Sequence, residues 1–372
     1  MQIGIDARSL GPTPTGVGTY LSEILKYHPF SSGSTRNHLF CHRPPAFPPA
    51  DNVTLHISKV TRGLPWYLFR AHQAINKCSP DIFWGAQNLL PRNLSKSLPS
   101  VITIHDCVHQ AGWGFSPSIA YNLVHRHYIP KAIQRSSRIL TVSKFVADEI
   151  HRYYSVPHAK LEVTPPGVSS HFSPQNIKTS EIPPILDRYQ IHTPFILGVG
   201  TLEPRKNLKT LLQAFALLPV NLRKTYQLVL AGKSGWRTKE LFRSLKSLPR
   251  DCRVVLPGYV AQEHLPGIYA AAEIFVFPSL YEGFGLPVLE AMAAGCPVIA
   301  SDSSSVKELL SSAGITVDPC SPAEEWSRSI CRVALSSELQ NELKAKGLLR
   351  AQQYRWGKCA ETTFEVLRAV AR

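Results

Sequence analysis

The chain predicts two doubly wound, Rossmann-like α/β domains in tandem, and three observations predict it. Short apolar runs rich in β-branched residues recur with helical stretches between them. The runs are continuous rather than alternating, as in strands buried on both faces of a parallel sheet. They also fall into two series, and 372 residues is a natural length for two domains of ordinary size.

The first series predicts strands at residues 1–7, 53–57, 81–85, 100–105, 138–142 and 160–164. The second predicts strands at 195–199, 226–231, 253–256, 273–277, 297–300 and 315–317. Strands interleaved with helices imply parallel order and ligand sites beyond the carboxyl ends. Between the series, residues 173–194 are polar and Pro-rich and read as a linker with one turn of helix. The expected domains are therefore 1–175 and 176–354, with a final helix at 355–372 expected to cross back onto the first. Residues 43–51 (RPPAFPPAD) read as a surface loop, and the chain beyond 321 reads as helical.

Composition narrows the function. With 44% hydrophobic and 18% charged residues a substantial core is expected, not disorder. Eight cysteines lie singly with no CxxC pair, which argues against a zinc ribbon and suits a reducing compartment. The N-terminus lacks a signal-peptide pattern, and no run nears the roughly 18 apolar residues a membrane span needs. The expected location is cytoplasmic, either soluble or peripheral on the inner face of the cell membrane. Net charge is +15, with 12 of the 14 histidines before residue 175. A basic face fits an anionic lipid surface, phosphate-bearing substrates or plain solvation, while nucleic acid is disfavoured because no matching motif accompanies it.

The most informative segment is 278–297, PSLYEGFGLPVLEAMAAGCP. A strand enters a tight loop with Gly283 and Gly285, and a helix opens with Pro287 in its first turn. Such a junction presents backbone N–H groups and a positive dipole end, which suits a diphosphate. Glu282 precedes the loop and Glu290 lies about one turn into the helix, among Leu289, Ala291 and Met292. Sugar hydroxyls could satisfy that carboxylate, although favour from the helix dipole explains it equally. In GVGTLEPRKNL (198–208), Arg205 and Lys206 follow a strand, one a planar fork and the other a point charge for a nucleoside diphosphate. A solvated charged turn is the plainer reading.

Glu282-x7-Glu290 within EGFGLPVLEAMAAGCPVIAS closely resembles the paired-glutamate motif of retaining GT-B glycosyltransferases, in particular family 4. The resemblance covers most of the chain and is strongest over 195–317. It implies a GT-B fold with the nucleotide-sugar donor in the interdomain cleft, held mainly by the second domain. It also implies that Glu282 lies near the sugar hydroxyls, that Glu290 accepts from the ribose, and that the Phe284–Gly285–Leu286 backbone meets sugar and phosphates. GTLEPRKNL, with Gly200, resembles the family's phosphate-binding segment and is most like that of bacterial mannosyltransferases, which favours GDP-mannose over UDP-linked sugars as donor. Gly258-Tyr259-Val260 resembles the loop that meets the base.

In the first domain, TGVGTY (15–20) begins like a dinucleotide fingerprint, but Leu21 stands where the third glycine would be. The family often carries such a loop, which assigns Gly16 and Gly18 to close backbone approach. His105 ends a strand and is either a core histidine or, as in family members with an HD pair, a partner for a sugar hydroxyl. Asp106 is a candidate base or orienting group for the acceptor. Residues 140–148 and 163–172 resemble motifs closing the family's first domain, but Pro166-Gly167 stands where Asn-Gly is usual. His125 and His127 make a weak metal pair and read as surface residues on a helix. No DxD-type metal pair is present, and neither cofactor nor metal is expected. Segments 61–72 and 113–131 mix aromatic and basic residues, as a membrane-facing surface or an amphipathic core helix would.

The expected reaction is retaining transfer of a hexose to a saccharide or lipid-linked acceptor in surface polysaccharide synthesis. The leaving phosphate would help take the acceptor's proton. A non-catalytic sugar-nucleotide or polysaccharide binder is the alternative, with a nucleotide-dependent oxidoreductase behind it.

Overall fold

The computed structural model describes residues 1–11, 15–27, 35–45, 52–60, 63–112 and 118–372. The chain forms two compact units, one of Met1–Gly167 with Arg355–Arg372 and the other of Val168–Tyr354.

In the first unit the strands are β1 (Gln2–Asp6), β2 (Arg36–Cys41), β3 (Val53–Ile57), β4 (Ile82–Gly85), β5 (Ser100–Ile104), β6 (Arg138–Thr141) and β7 (Leu161–Val163). Their order is β3-β2-β1-β4-β5-β6-β7, with every pairing parallel. The second unit contains β8 (Phe195–Val199), β9 (Gln227–Ala231), β10 (Val254–Gly258), β11 (Ile274–Phe277), β12 (Val298–Ser301) and β13 (Ile315–Val317). Its order is β10-β9-β8-β11-β12-β13, again all parallel. The central strands are those whose apolar runs are continuous: Ile3, Ile5, Phe83, Trp84, Ile196, Leu197, Phe275 and Val276 are all inaccessible. Strand order reverses beside β1/β4 and β8/β11, so the loops after these strands diverge and leave a crevice at the carboxyl edge of each sheet.

The doubly wound architecture matches the sequence expectation, with one strand more. β2 went unpredicted because its first half, Arg36-Asn37-His38, is polar. It is a strand because it pairs on both sides, with β1 and β3, and buries Leu39, Phe40 and Cys41.

Residues 173–194 form part of the second unit and are not a linker. The helix Ile182–Arg188 packs on the helix Leu265–Ala271, Leu186 and Ile191 are buried, and Phe172 meets Tyr269 edge-on at 5.8 Å. The units divide instead at Gly167 and Val168, ahead of the expected 175/176. A Cβ on Gly167 would lie 2.0 Å from the Trp356 nitrogen, so only glycine lets these backbones meet. There the helix Trp356–Ala371 begins; it packs on the helix Gly16–Lys26 and buries Trp356, Phe364 and Leu367 in the first unit. Of the expected loop at 43–51, residues 46–51 lie outside the described residues. Among the described residues no helix is long and apolar enough to cross a membrane.

Candidate active site

The second unit concentrates charge at the carboxyl ends of β8 and β11. After β8 the chain stays bound to its neighbour: Gly200 N–H donates to the Ala231 carbonyl at 2.9 Å, and Leu202 N–H to the Lys233 carbonyl at 2.9 Å. A single 3-10 turn, Pro204–Lys206, then carries both cations, and Asn207 at φ 52° reverses the chain into the helix Leu208–Ala216. A Cβ on Gly200, at φ +149°, would lie 3.2 Å from Lys206 Cε, so this glycine leaves room for the lysine stem.

The loop after β11 docks on this turn. Leu280 N–H donates to the Arg205 carbonyl at 2.8 Å, and Arg205 Nη1 donates to the Tyr281 carbonyl at 3.0 Å. Glu282 then accepts from Lys206 Nζ at 2.6 Å, from Arg205 Nη1 at 3.0 Å and from the Ser279 hydroxyl. Its own backbone is fixed by Ser304 and Ser305, at the start of the helix Ser304–Leu310. Arg205 also pairs with Glu203 through Nε at 2.9 Å and Nη2 at 2.8 Å. Two carboxylates and two cations thus share one largely buried cluster. Burial pushes the Glu282 carboxyl up, but the Arg205 and Lys206 charges and the Lys206 and Ser279 hydrogen bonds outweigh it and hold it below its ordinary value. Burial raises Glu203 and lowers Lys206. The guanidinium fork that the sequence offers to a diphosphate is closed on Glu203. Its charge therefore acts from a fixed position, preorganised before any ligand arrives.

Glu290 has the opposite environment. The helix Leu286–Ala293 starts at Gly285, held at φ 103°, with Pro287 in its first turn and no side-chain cap. Pro287 offers no N–H and the Val288 and Leu289 N–H groups donate to the Gly285 carbonyl at 2.9 and 3.3 Å, so an anion would meet the backbone at Leu286 and the loop before it. One turn in, Glu290 accepts a hydrogen bond, 3.0 Å, from the buried Tyr269 hydroxyl. Burial raises it to about 7, only partly offset by that bond. Tyr259 is half-exposed under the Lys233 ammonium, 4.5 Å from its ring centre, and Val260 is buried. Phe284 is buried against Tyr354 at 5.7 Å.

In the first unit, His105 follows β5. Its Nε2–H donates to the Ala86 carbonyl at 2.8 Å, its backbone N–H donates to Asn88 Oδ1 at 2.8 Å, and Tyr20 meets the ring edge-on at 4.8 Å. Burial lowers its pKa, so the neutral ring keeps Nδ1 as an acceptor for a hydroxyl. Asp106 accepts from Val108 N–H at 3.2 Å. A Cβ on Gly18 would lie 2.6 Å from the Ser9 carbonyl, whereas a Cβ on Gly16 would meet open space.

Sequence reasoning missed several residues here. Asp6, the last residue of β1, holds Arg8 bidentately at 2.9 and 2.7 Å, and Arg8 lies over the Tyr67 ring at 3.6 Å. His125 is buried and stacks on Tyr121 at 3.8 Å, with His109 nearby and hydrogen-bonded to Tyr154 at 2.6 Å. Only His127 faces solvent, correcting the expectation for His125. A helical stripe of Asn122, His125, Ile129 and Ala132 would have revealed its burial. Burial lowers His109 to about 4 and also lowers His125, while Asp106 opposes both shifts.

Of the aromatic-basic segments, 61–62 and 113–117 lie outside the described residues. Trp66 and Tyr67 are core, whereas Phe69, Ile119 and Leu123 are exposed. Phe69 meets Tyr128 at 6.5 Å, and the Lys131 ammonium lies over the Tyr128 ring.

Two sequence families match the chain: "Glycosyltransferase Family 4" over residues 15–172 and "Glycosyl transferases group 1" over residues 189–350. The chain is 34% identical to O-antigen chain mannosyltransferase B of Escherichia coli, over 76% of this chain and 73% of that protein. It is 25% identical to O-antigen chain mannosyltransferase RfbU of Salmonella typhimurium, over 75% and 74% of the two chains. Among solved structures it superposes on WaaG, a glycosyltransferase of lipopolysaccharide biosynthesis, with TM-score 0.78 at 15% identity, covering 98% of this chain and 99% of that one. Anabaena HepE, solved with UDP and glucose, superposes with TM-score 0.77 at 18% identity, over 99% and 100%.

The raised Glu290 carboxyl makes a signed prediction. Its folded value of about 7 lies above the ordinary 4.5, so ionising it opposes folding as pH rises from about 4.5 through 7. Glu290→Gln should stabilise the ligand-free protein by about 3 kcal/mol near pH 8 and by under about 1 kcal/mol near pH 5, read from denaturant unfolding at both values. Equal effects at the two values would refute the assignment.

Proposed function

Because the chain belongs to the family 4 glycosyltransferases and has their GT-B fold, we propose that it moves mannose from GDP-mannose, with retention, to a saccharide or lipid-linked saccharide hydroxyl in surface polysaccharide synthesis. The observation that carries this is the cluster joining Arg205, Lys206 and Glu282 between the loops after β8 and β11, beside the uncapped start of the helix Leu286–Ala293. The O-antigen mannosyltransferase relatives support mannose as the sugar.

In this reading Lys206 and the helix start hold the donor's diphosphate, and Arg205 adds its fixed charge. As the glycosidic bond breaks, the leaving phosphate gains negative charge, which these groups stabilise without moving. The proposed neutralisation rests on side chains and backbone and calls for no metal or cofactor. Gly200, Glu282 and the backbone of Phe284, Gly285 and Leu286 line the sugar and phosphates, Glu290 accepts from the ribose, and Gly258, Tyr259 and Val260 face the base. Glu282, tied to two cations, binds the sugar and does not attack it. His105 Nδ1 accepts from a sugar hydroxyl, Asp106 orients the acceptor, and Gly16 and Gly18 approach the donor through their backbone. Substitution on one face, with the leaving phosphate taking the acceptor's proton, then retains configuration. The exposed Phe69, Ile119 and Leu123, with the basic Lys131 on the helix that carries the last two, fit peripheral contact with the anionic inner face of the cell membrane, where a lipid-linked acceptor would lie.

Three measurements test this. GDP-mannose at about 100 times its Kd should stabilise the protein by about 3 kcal/mol in thermal unfolding. A selective shift with UDP or ADP sugars would overturn the donor, and no shift with any of them would overturn the site. Arg205→Ala and Lys206→Ala should each lower kcat by about 100-fold or more, with the folded state checked by circular dichroism; transfer surviving both changes would remove the clamp. Ile119→Glu with Leu123→Glu should abolish co-sedimentation with anionic vesicles while leaving transfer to a soluble acceptor intact, and unchanged sedimentation would overturn the membrane contact.

A further inference from the structure

Away from the carboxyl edges, the first unit gathers three metal-ligating side chains from three elements. His38 stands on β2, His56 on β3, and Cys78 ends the helix Ala71–Cys78. One ligand atom from each lies within 4.8 Å of the others. The register explains two of them. His38 pairs with Thr54 and Phe40 with His56, so both imidazoles project from the same face two residues apart. There His38 Nδ1 lies 3.1 Å from His56 Nε2, and Phe40 stacks on His56 at 4.5 Å and fixes its plane.

The second ring nitrogen of His38 completes the pattern. Nε2 lies 3.1 Å from Gln2 Oε1, the side-chain carbonyl of the first residue of β1. A carbonyl oxygen only accepts, so Nε2 carries the proton and the Nδ1 lone pair points to His56. Metal-bound histidines are oriented in this way, with the remote N–H donated to a carbonyl or carboxylate. The 3.1 Å separation of the two imidazole nitrogens is near the N···N edge of a tetrahedron with metal–nitrogen bonds of about 2.0 Å. The thiol of Cys78 needs to close by only about 1 Å to complete the face.

We propose that His38, His56 and Cys78 bind one divalent ion of the zinc type, with water in the fourth position, and that the ion fastens the β2–β3 edge of the sheet to the helix Ala71–Cys78. Two imidazoles and a thiolate select borderline, thiophilic ions over magnesium or calcium. Binding releases the thiol proton to solvent. The edge has reason to need such a fastening: no residue of β3 is fully buried, so apolar packing anchors it weakly. The site lies within the strands and not beyond their carboxyl ends, so the ion is separate from the proposed transfer reaction.

The test uses the full-length chain, purified reduced and metal-free, titrated with Zn2+ and separately with Co2+. One equivalent of Zn2+ should bind and raise the thermal midpoint, and Co2+ should give the charge-transfer absorption of a thiolate ligand. Zn2+ should also protect Cys78, among the eight cysteines, from alkylation mapped by peptide mass spectrometry. Cys78→Ser should abolish the cobalt–thiolate band, and Gln2→Ala should weaken Zn2+ affinity by about 10-fold or more. The alkylation map needs no variant, so a misfolded variant leaves the test intact. No bound Zn2+, or Zn2+ that leaves Cys78 as reactive as before, would overturn the proposal.

Discussion

The constraint on which the second unit's site depends is the contact of Glu282 with Lys206 and Arg205. β8 and β11 are neighbours in the sheet, but their following loops run to different helices. Beyond the strand termini the Leu280 N–H to Arg205 carbonyl bond, the Arg205 contact with the Tyr281 carbonyl and the Glu282 carboxylate together join the loops. Glu282 receives both cations from the first loop while its own backbone is fixed to the helix Ser304–Leu310. A carboxylate at this point decides where two positive charges stand. The uncapped helix beginning at Gly285 adds a third positive element within a few residues.

The two glutamates of one short motif thereby acquire different chemistry. Glu282 is held ionised by opposite charges at hydrogen-bond distance, while Glu290, with the Tyr269 hydroxyl as its one hydrogen-bond partner among the described residues, titrates near neutrality. Environment separates two identical side chains eight positions apart, giving one a fixed electrostatic role and the other an unfilled demand for donors. In the proposed function ribose hydroxyls would meet that demand, a use for a carboxylate set among Leu289, Ala291 and Met292.

Legibility in the sequence followed burial. Strands inaccessible on both faces, such as β8 and β11, read directly from their apolar runs. β2 did not, because parallel neighbours on either side can hold Arg36, Asn37 and His38 in a strand that composition alone does not announce. The segment 173–194 looked like a linker because prolines and polar residues outnumber the few anchors, Leu186 and Ile191, that pack it down. In the candidate site, Arg205, Lys206, Glu282 and Glu290 stand out in the sequence through the resemblance of GTLEPRKNL and EGFGLPVLE to family 4 motifs. That Arg205 turns its fork to Glu203 does not, since a local i, i+2 pairing depends on the turn the chain adopts. Asp6 and Arg8 were hidden for the same reason.

The energetics of the cluster argue for function over stability. Glu203, Arg205, Lys206 and Glu282 are all largely withdrawn from water, and such groups lose several kcal/mol of hydration each. Their mutual attraction recovers much of this, but apolar side chains of similar volume would generally fold as well or better. A surface site for the same charges would avoid the desolvation altogether, at the expense of screening by water and salt. Partial burial keeps the cations in a low-dielectric setting where they act strongly on a charge that develops beside them. In the proposed reaction the carboxylates would hold the cations in place until that charge appears. A fixed, half-shielded pair of cations at a sheet's carboxyl edge is therefore better suited to stabilising a departing phosphate than to holding the fold together.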